Sequence, residues 1–262
     1  SANYRWLIEK TIQIIIMQIK LGCSLWVVAN LNLTIEDSLF YGYQKKSHSM
    51  TEQSTKGWWG VWSQLFVKQF IDWLNPAGEL RWIDIGCGSG VFTAQIAEFC
   101  SPSEVVEINS SDAQIKFAQN RPVAKPVNFQ TGDGMALPFD ADTFDSATMA
   151  LVLFFIPNPM LDVSEMKRVV REGGSVSAYV RDIFGDGLPI KMIHRKLRNY
   201  GIDYPLPPSA GVYKMVILQK LWGEAGLKSI ESKQINVERS FVDFEEFWNV
   251  TTLSPAVSVV FD

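Results

Sequence analysis

A chain of 262 residues has room for one large domain with additions and for a sizeable buried core. Its 47% hydrophobic and 20% charged residues are ordinary for a globular protein, and a net charge of −4 speaks against a nucleic-acid binder, which carries a basic patch or stripe. Three cysteines (Cys23, Cys87, Cys100) without a C-x-x-C pair, and two histidines (His48, His194), leave no disulfide framework, no metal site and little material for a Ser-His-Asp triad, so a reducing, cytoplasmic compartment is expected.

Residues 11–28 are apolar but interrupted by Gln13, Gln18 and Lys20. A spanning helix needs about 20 mostly apolar residues, so a packed helix or strand is the better expectation and no membrane partner is expected. Met50 opens a polar run, MTEQSTKG, that resembles a chain start, and residues 1–49 read as an extension of uncertain status. From residue 57 the pattern is regular. Residues 57–74 repeat aromatics at helical spacing (Trp62, Phe66, Phe70, Trp73) and end at Asn75-Pro76-Ala77-Gly78. LRWIDI (80–85) reads as a buried strand, GCGSG as a loop, and residues 91–100 as a helix opening directly from it. Strand 103–108, helix 110–120 with Ser110 or Ser111 as N-cap, and strand 126–133 follow. A fourth strand lies within 142–156, apolar throughout its second half; a helix runs over 164–174 to the stop signal Gly173-Gly174; a fifth strand covers 175–182.

Strand and helix alternate five times with continuously apolar strands, which predicts an α/β fold with a mostly parallel, doubly wound sheet and helices on both faces. Beyond it come a basic helical segment (189–201, with Lys191, Arg195, Lys196 and Arg198), the loop DYPLPPSAG (203–211), a helix over 212–226, an extended stretch over 228–241 and a helical turn at 244–249. The basic cluster reads as a solvated helix face.

The glycine loop sits between a strand and a helix, where backbone amides approach a ligand at the positive helix end. No lysine follows Gly90, so a phosphate loop is excluded, and Val91 stands where a dinucleotide fingerprint places its third glycine. Glu107 alone does not discriminate, because an acid about 20 residues after the loop also occurs in dehydrogenases. Asp133, closing the third strand, does. Asp84, Glu107 and Asp133 then stand at the carboxyl ends of three strands, where open α/β sheets bind ligands. A ligand with an ammonium group, a ribose and an adenine amine offers a donor to each.

WIDIGCGSG, VVEIN, GDGMALPF, FDSATMALVLFFIPNP and EMKRVVREGGSVSAYVRD, in that order, resemble the class I S-adenosylmethionine-dependent methyltransferases of the small-molecule type, over about residues 57–182. The resemblance implies a Rossmann-like fold, S-adenosylmethionine as cofactor with S-adenosylhomocysteine as product, and a small-molecule acceptor. It implies that Asp84, Gly86, Cys87, Gly88 and Gly90 surround the methionine part. Glu107 accepts the ribose hydroxyls and Ile108 packs on adenine. Asp133 accepts the adenine amine, Gly134 and Met135 line the base, and Ala150 and Leu151 lie beside the methionine part. Phe154-Phe155 stand where related chains often carry a His, which removes one candidate base, and no catalytic residue is assigned.

The residues also allow plainer readings. Asp84 is a strand-end acid capping the loop, Glu107 a solvated acid and Asp133 an Asx-turn residue. Trp58, Trp59 and Trp62 are either a substrate wall or helix core. Phe155 reads as packing, His194 as surface, and Arg181 as either a contact to an acidic substrate or a salt-bridged edge residue. The expected division is residues 1–49 as extension and 50–262 as the methyltransferase domain, with the cofactor core over 57–182 and an acceptor-shaping part over 183–262. Residues 228–241 contain no clear turn, so the seventh, antiparallel strand of the family is expected to be missing or partial. The rivals are an NAD(P)-dependent oxidoreductase and a non-catalytic partner on the same fold. The oligomeric state has no signature in the sequence.

Overall fold

A computed structural model describes residues 21–29, 60–122, 127–182, 195, 199, 201 and 206–252. Its centre is a seven-stranded sheet. In chain order the strands are β1 (Leu21–Ala29), β2 (Arg81–Ile85), β3 (Glu104–Asn109), β4 (Val127–Thr131), β5 (Phe144–Ala150), β6 (Val170–Arg181) and β7 (Glu231–Arg239). The helices are α1 (Gly60–Leu74), α2 (Val91–Phe99), α3 (Asp112–Ala118), α4 (Pro159–Val169), α5 (Met215–Gly223) and α6 (Phe244–Thr252). The spatial order is β4-β3-β2-β5-β6-β1-β7. The first five strands of that order are parallel, and β1 runs antiparallel to both of its neighbours.

Sequence dictates these elements through burial and caps. On α1, Phe66, Val67, Phe70 and Ile71 are buried, a stripe at helical spacing that packs on α2. Phe70 meets the rings of Phe92 and Tyr179 at 5.8 and 5.0 Å between centroids, which joins α1, α2 and β6. The helix stops where Asn75 takes a left-handed φ of 43° ahead of Pro76. Ser111, one of the two expected caps, accepts from the Gln114 amide at the start of α3. At the start of α4 Asn158 accepts from the Met160 and Leu161 amides, and Pro159 occupies the first helical position, where its missing N–H costs nothing.

Three boundaries differ from the sequence expectation. The helix expected to run to Gly174 starts earlier, at Pro159, and ends at Val169, and Val170–Gly174 belong to β6. The β-branched pair Val169-Val170 and the Arg171–Asp145 ion pair at 2.5 Å draw that stretch into the sheet beside β5. A register shift between Phe144 and Ser146 absorbs the irregularity. The apolar half of the fourth strand is cut short at Ala150, because Leu151 turns to φ 59° and Leu153–Phe155 form a single 3-10 turn.

The third difference is the antiparallel strand. Among the described residues downstream of β7, which end at Thr252, there is no strand, and residues 253–262 lie outside the described residues. The position is nevertheless filled. β1 lies between β6 and β7, with Leu25 opposite Arg181 on one side and Leu21 opposite Arg239 on the other. The seventh strand is therefore present and comes from the N-terminal stretch, which satisfies the backbone edges of both neighbours.

Candidate functional site

The carboxyl ends of β2, β3 and β4 converge on the glycine loop. Asp84 is the fourth residue of β2 and pairs in register with Glu107 of β3. Both carboxylates are almost wholly buried, at 0% and 1% exposure. One oxygen of Asp84 accepts from the Thr93 hydroxyl at 2.5 Å. The other oxygen, Oδ1, and Oε1 of Glu107 have no hydrogen-bond partner among the described residues. Burial, then the neighbouring Glu107, pushes the Asp84 carboxyl up to about 8, and burial raises that of Glu107, opposed in part by hydrogen bonds and by Arg121. Unsatisfied buried acceptors are costly, so this pair is built to receive donors.

The loop leaves the space. Gly86, Gly88 and Gly90 all have φ between 59° and 73°, which a side chain disfavours. A Cβ on Gly90 would sit 3.0 Å from the Glu107 carboxylate, and one on Gly86 would collide with the Val152 methyls at 2.6 Å. Cys87 and Ser89 are buried between them, and the Arg121 guanidinium donates to the Ser89 carbonyl at 2.9 Å, tying the loop to the end of α3.

At the ends of β3 and β4, Ile108 is buried against Gly132, where a Cβ would meet its Cδ1 at 2.6 Å. Asp133 is exposed, and its Oδ1 accepts from the Met135 amide at 2.9 Å. The turn expected of this residue is thus formed by one of its oxygens. Gly134 and Met135 belong to the single 3-10 turn Gly134–Ala136 that follows. Helix α4 clamps this turn from behind. Glu165 accepts from the Leu137 amide at 2.8 Å, and Arg168 donates to the carbonyls of Phe139 and Leu137 at 2.7 and 3.0 Å.

Ala150 and Leu151 close β5 beside the loop. Leu151 holds a left-handed φ of 59°, which costs about 1–3 kcal/mol for such a residue and is secured by its amide bond to the Tyr179 carbonyl at 3.0 Å. Phe155 is half-buried and lies 4.4 Å from the Phe154 ring, which stacks on Tyr213 at 4.6 Å. Arg181 is buried at 2% exposure at the end of β6. It lies near Tyr179, whose hydroxyl burial pushes up and Arg181 draws down.

The structure therefore brings Asp84, Gly86, Cys87, Gly88, Gly90, Glu107 and Ile108 to one crevice, with Asp133, Gly134, Met135, Ala150 and Leu151 on adjoining strand ends. Of the tryptophans, Trp62 lies on α1, and Trp58 and Trp59 fall outside the described residues, as do His194 and most of the basic 189–201 segment. Sequence reasoning missed Thr93, Arg121, Val152 and Asp162. Thr93 carried a sign, a hydroxyl in the first turn of the helix that opens from the loop. Among the described residues no cluster of His, Cys, Asp and Glu suits a metal ion, and no helix is long and apolar enough to cross a membrane.

An acid pair in register, a loop with three left-handed glycines and a third acid after the next strand over stand together at the carboxyl ends of a parallel α/β sheet. Residues 83–178 match the family model described as "Methyltransferase domain", a stretch running from β2 into β6. Over these residues the chain is similar to a methyltransferase domain. Among curated relatives, it is 35% identical over 107 residues to "2-methyl-6-phytyl-1,4-hydroquinone methyltransferase 2, chloroplastic" of Oryza sativa subsp. japonica, covering 39% of this chain and 31% of that protein. It is 28% identical over 141 residues to demethylmenaquinone methyltransferase of Symbiobacterium thermophilum, covering 52% of this chain and 55% of that one. The matches thus span between about a third and about half the length of these relatives. A solved methyltransferase from Aquifex aeolicus superposes with a TM-score of 0.48 at 15% identity, over 71% of this chain and 88% of its own.

Proposed function

We propose that the chain transfers a methyl group from S-adenosylmethionine to a small-molecule acceptor, and that the acceptor is a quinol-type aromatic ring. The observation that carries the first half is the buried register pair Asp84 and Glu107, each with an oxygen that lacks a partner among the described residues, beside a loop in which Gly86 and Gly90 leave no room for a Cβ. The second half rests on the names of the relatives, which are quinone and hydroquinone methyltransferases.

When bound, S-adenosylmethionine supplies a methyl group on a sulfonium, ready for displacement at carbon, and leaves as S-adenosylhomocysteine. The chain's own residues bind and orient. Asp84 Oδ1 accepts from the ammonium, and the backbone around Gly86, Cys87, Gly88 and Gly90 packs on the methionine part. Glu107 accepts the ribose hydroxyls, and the free oxygen of Asp133 accepts the 6-amine of the purine. Ile108, Gly134 and Met135 hold the ring, while Ala150 and Leu151 wall the methionine side. Phe155, Arg181 and the tryptophans Trp58, Trp59 and Trp62 are assigned to the acceptor. Holding the acceptor atom in line with the methyl carbon contributes about 7–11 kcal/mol toward the barrier. A quinol ring is already electron-rich, so it would attack without prior deprotonation and the proton it loses on methylation would pass to water, and the reading requires no dedicated base. The division into a cofactor core (57–182) and an acceptor-shaping part (183–262), with residues 1–49 as an extension that lends β1 to the sheet, and a cytoplasmic site of action belong to the same proposal.

A thermal-shift comparison of S-adenosylmethionine, S-adenosylhomocysteine and NAD tests the cofactor: the first two are expected to raise the melting temperature and NAD to leave it unchanged. Stabilisation by NAD alone defeats the assignment. Methyl transfer from labelled S-adenosylmethionine to a short-chain quinol tests the acceptor, and turnover of a protein or an RNA with none on quinols overturns it.

A further inference from the structure

Asp162 lies in the first turn of α4 and is wholly buried, at 0% exposure. Both of its carboxyl oxygens lack a hydrogen-bond partner among the described residues. Nothing in the reading above uses it. It faces the back of the purine turn: a Cβ on Gly134 would collide with Asp162 Oδ1, and Ile85 Cγ2, at 3.0 Å, closes the other side of that space. Its acidic neighbours are Asp133 on the turn and Glu165 one helical turn on; burial, Asp133 and Glu165, in that order, raise its affinity for a proton. Glu165 is already engaged by the Leu137 amide and Arg168.

An apolar side chain would fill this space at less cost than an acid without partners. Such breaches of local consistency concentrate where function needs them. The breach also explains Gly134, whose φ is not in the left-handed region; glycine is required there because the carboxyl group occupies the space of a Cβ.

We propose that Asp162 is a positioning residue for the purine end of the site: its buried carboxyl group is the floor under the Asp133–Gly134–Met135 turn and sets how strongly the site selects a 6-amino purine. The proposal rests on the cofactor reading above, because Asp133 is there the acceptor for that amine. Removing the floor lets the turn sink toward α4, and the Asp133 oxygen loses its aim while the methionine and ribose contacts, on other strands, persist.

The test is calorimetric titration with S-adenosylhomocysteine and with S-inosylhomocysteine, which carries a carbonyl in place of the 6-amine. The wild type is expected to prefer the adenosyl compound strongly. Asp162→Ala is expected to bind S-adenosylhomocysteine at least fivefold more weakly and S-inosylhomocysteine unchanged, so that the preference shrinks, while its melting temperature does not fall. Asp162→Asn, which keeps the shape, is expected to retain the preference. Gly134→Ala is expected to lose affinity alone and to regain part of it in the Gly134→Ala, Asp162→Ala double variant, whose new methyl group fills the vacated space. An unchanged preference in Asp162→Ala, with wild-type binding intact, overturns the inference and leaves the cofactor reading standing. Equal loss for both ligands marks a structural role only and also overturns it. Failure of the wild type to bind either compound overturns both.

Discussion

The crevice at the ends of β2, β3 and β4 and the region beyond β6 are assembled by different rules. In the first, every group is supplied by one continuous stretch of chain: strand register sets Asp84 opposite Glu107, and the loop and helix that follow β2 set the glycines and the Thr93 hydroxyl. In the second, β1 comes from residues 21–29 and β7 from residues 231–239, and the aromatic wall joins Phe154 and Phe155 to Tyr213 across nearly sixty positions of sequence. The crevice spends stability on buried, under-bonded carboxylates. The far region is held by backbone ladders and ring contacts. On the proposed reading, a fixed cofactor selects fixed polar groups, whereas an apolar acceptor is met by adaptable apolar walls.

The comparison breaks most sharply at Asp84. Asp84→Ala removes a buried acceptor aimed at an ammonium, and truncating one side of such a pair costs about 2–5 kcal/mol. A loss of S-adenosylhomocysteine affinity well over tenfold is expected by calorimetry, and Glu107→Ala is expected to follow it. Unchanged affinity in both would place the ligand elsewhere. Gly90→Ala is next. It forces a side chain onto a φ of 72° and against the Glu107 carboxylate. A cost of about 1–3 kcal/mol is expected, read as weaker binding with the sheet's circular dichroism retained.

A chain beginning at Met50 probes the other region. It lacks β1, so the facing edges of β6 and β7 lose both of their ladders. Its melting temperature is expected to fall by several degrees, with a smaller loss of cofactor affinity than in the Asp84 variant. An unchanged melting temperature would show that the sheet does without this strand.

What was legible follows the same division. The strand-loop-helix motif and its three acids could be read because their meaning is local: a glycine run after an apolar strand has few other uses. Thr93 could not be assigned from sequence, since its hydroxyl reaches Asp84 only once α2 leaves the loop at the observed angle. Asp162 lay outside the helix expected from the sequence, which began at residue 164, so nothing singled it out. The available sign was its place among Pro159, Val163, Met166 and Val169, the buried face of α4. β1 was hidden because its partners lie some 150 and 210 residues away, and period-two apolar runs name no partner. The end of α4 was misjudged because Gly173-Gly174 is a stop signal in isolation, while Val169-Val170 and the Arg171–Asp145 pair favour the sheet.

The carboxylates also give the crevice a pH signature. Asp84, Glu107 and Asp162 all hold their protons more tightly folded than unfolded. The folded state therefore binds more protons, and stability falls as pH rises above the ordinary carboxylate range near 4. For Asp84 the loss continues until about 8. A lower melting temperature at pH 8 than at pH 5 is expected. The stabilisation by S-adenosylhomocysteine is expected to be larger at pH 8, because its ammonium favours ionised Asp84. A melting temperature that rises steadily over this interval would contradict the burial of these acids.

The smallest effect expected is at Phe155, and it separates the two regions most cleanly. Its ring is half-buried against Phe154 and lies three residues after Val152, which packs on the glycine loop. Phe155→Leu keeps apolar bulk and removes only the flat face. If this ring walls the acceptor, KM for a quinol rises a few-fold while the affinity for S-adenosylhomocysteine and the melting temperature stay at the wild-type values. If the change instead weakens cofactor binding, the wall and the glycine loop act as one unit through Val152. The division between a polar, register-built crevice and an adaptable apolar side would then have to be redrawn on the β5 side of the loop.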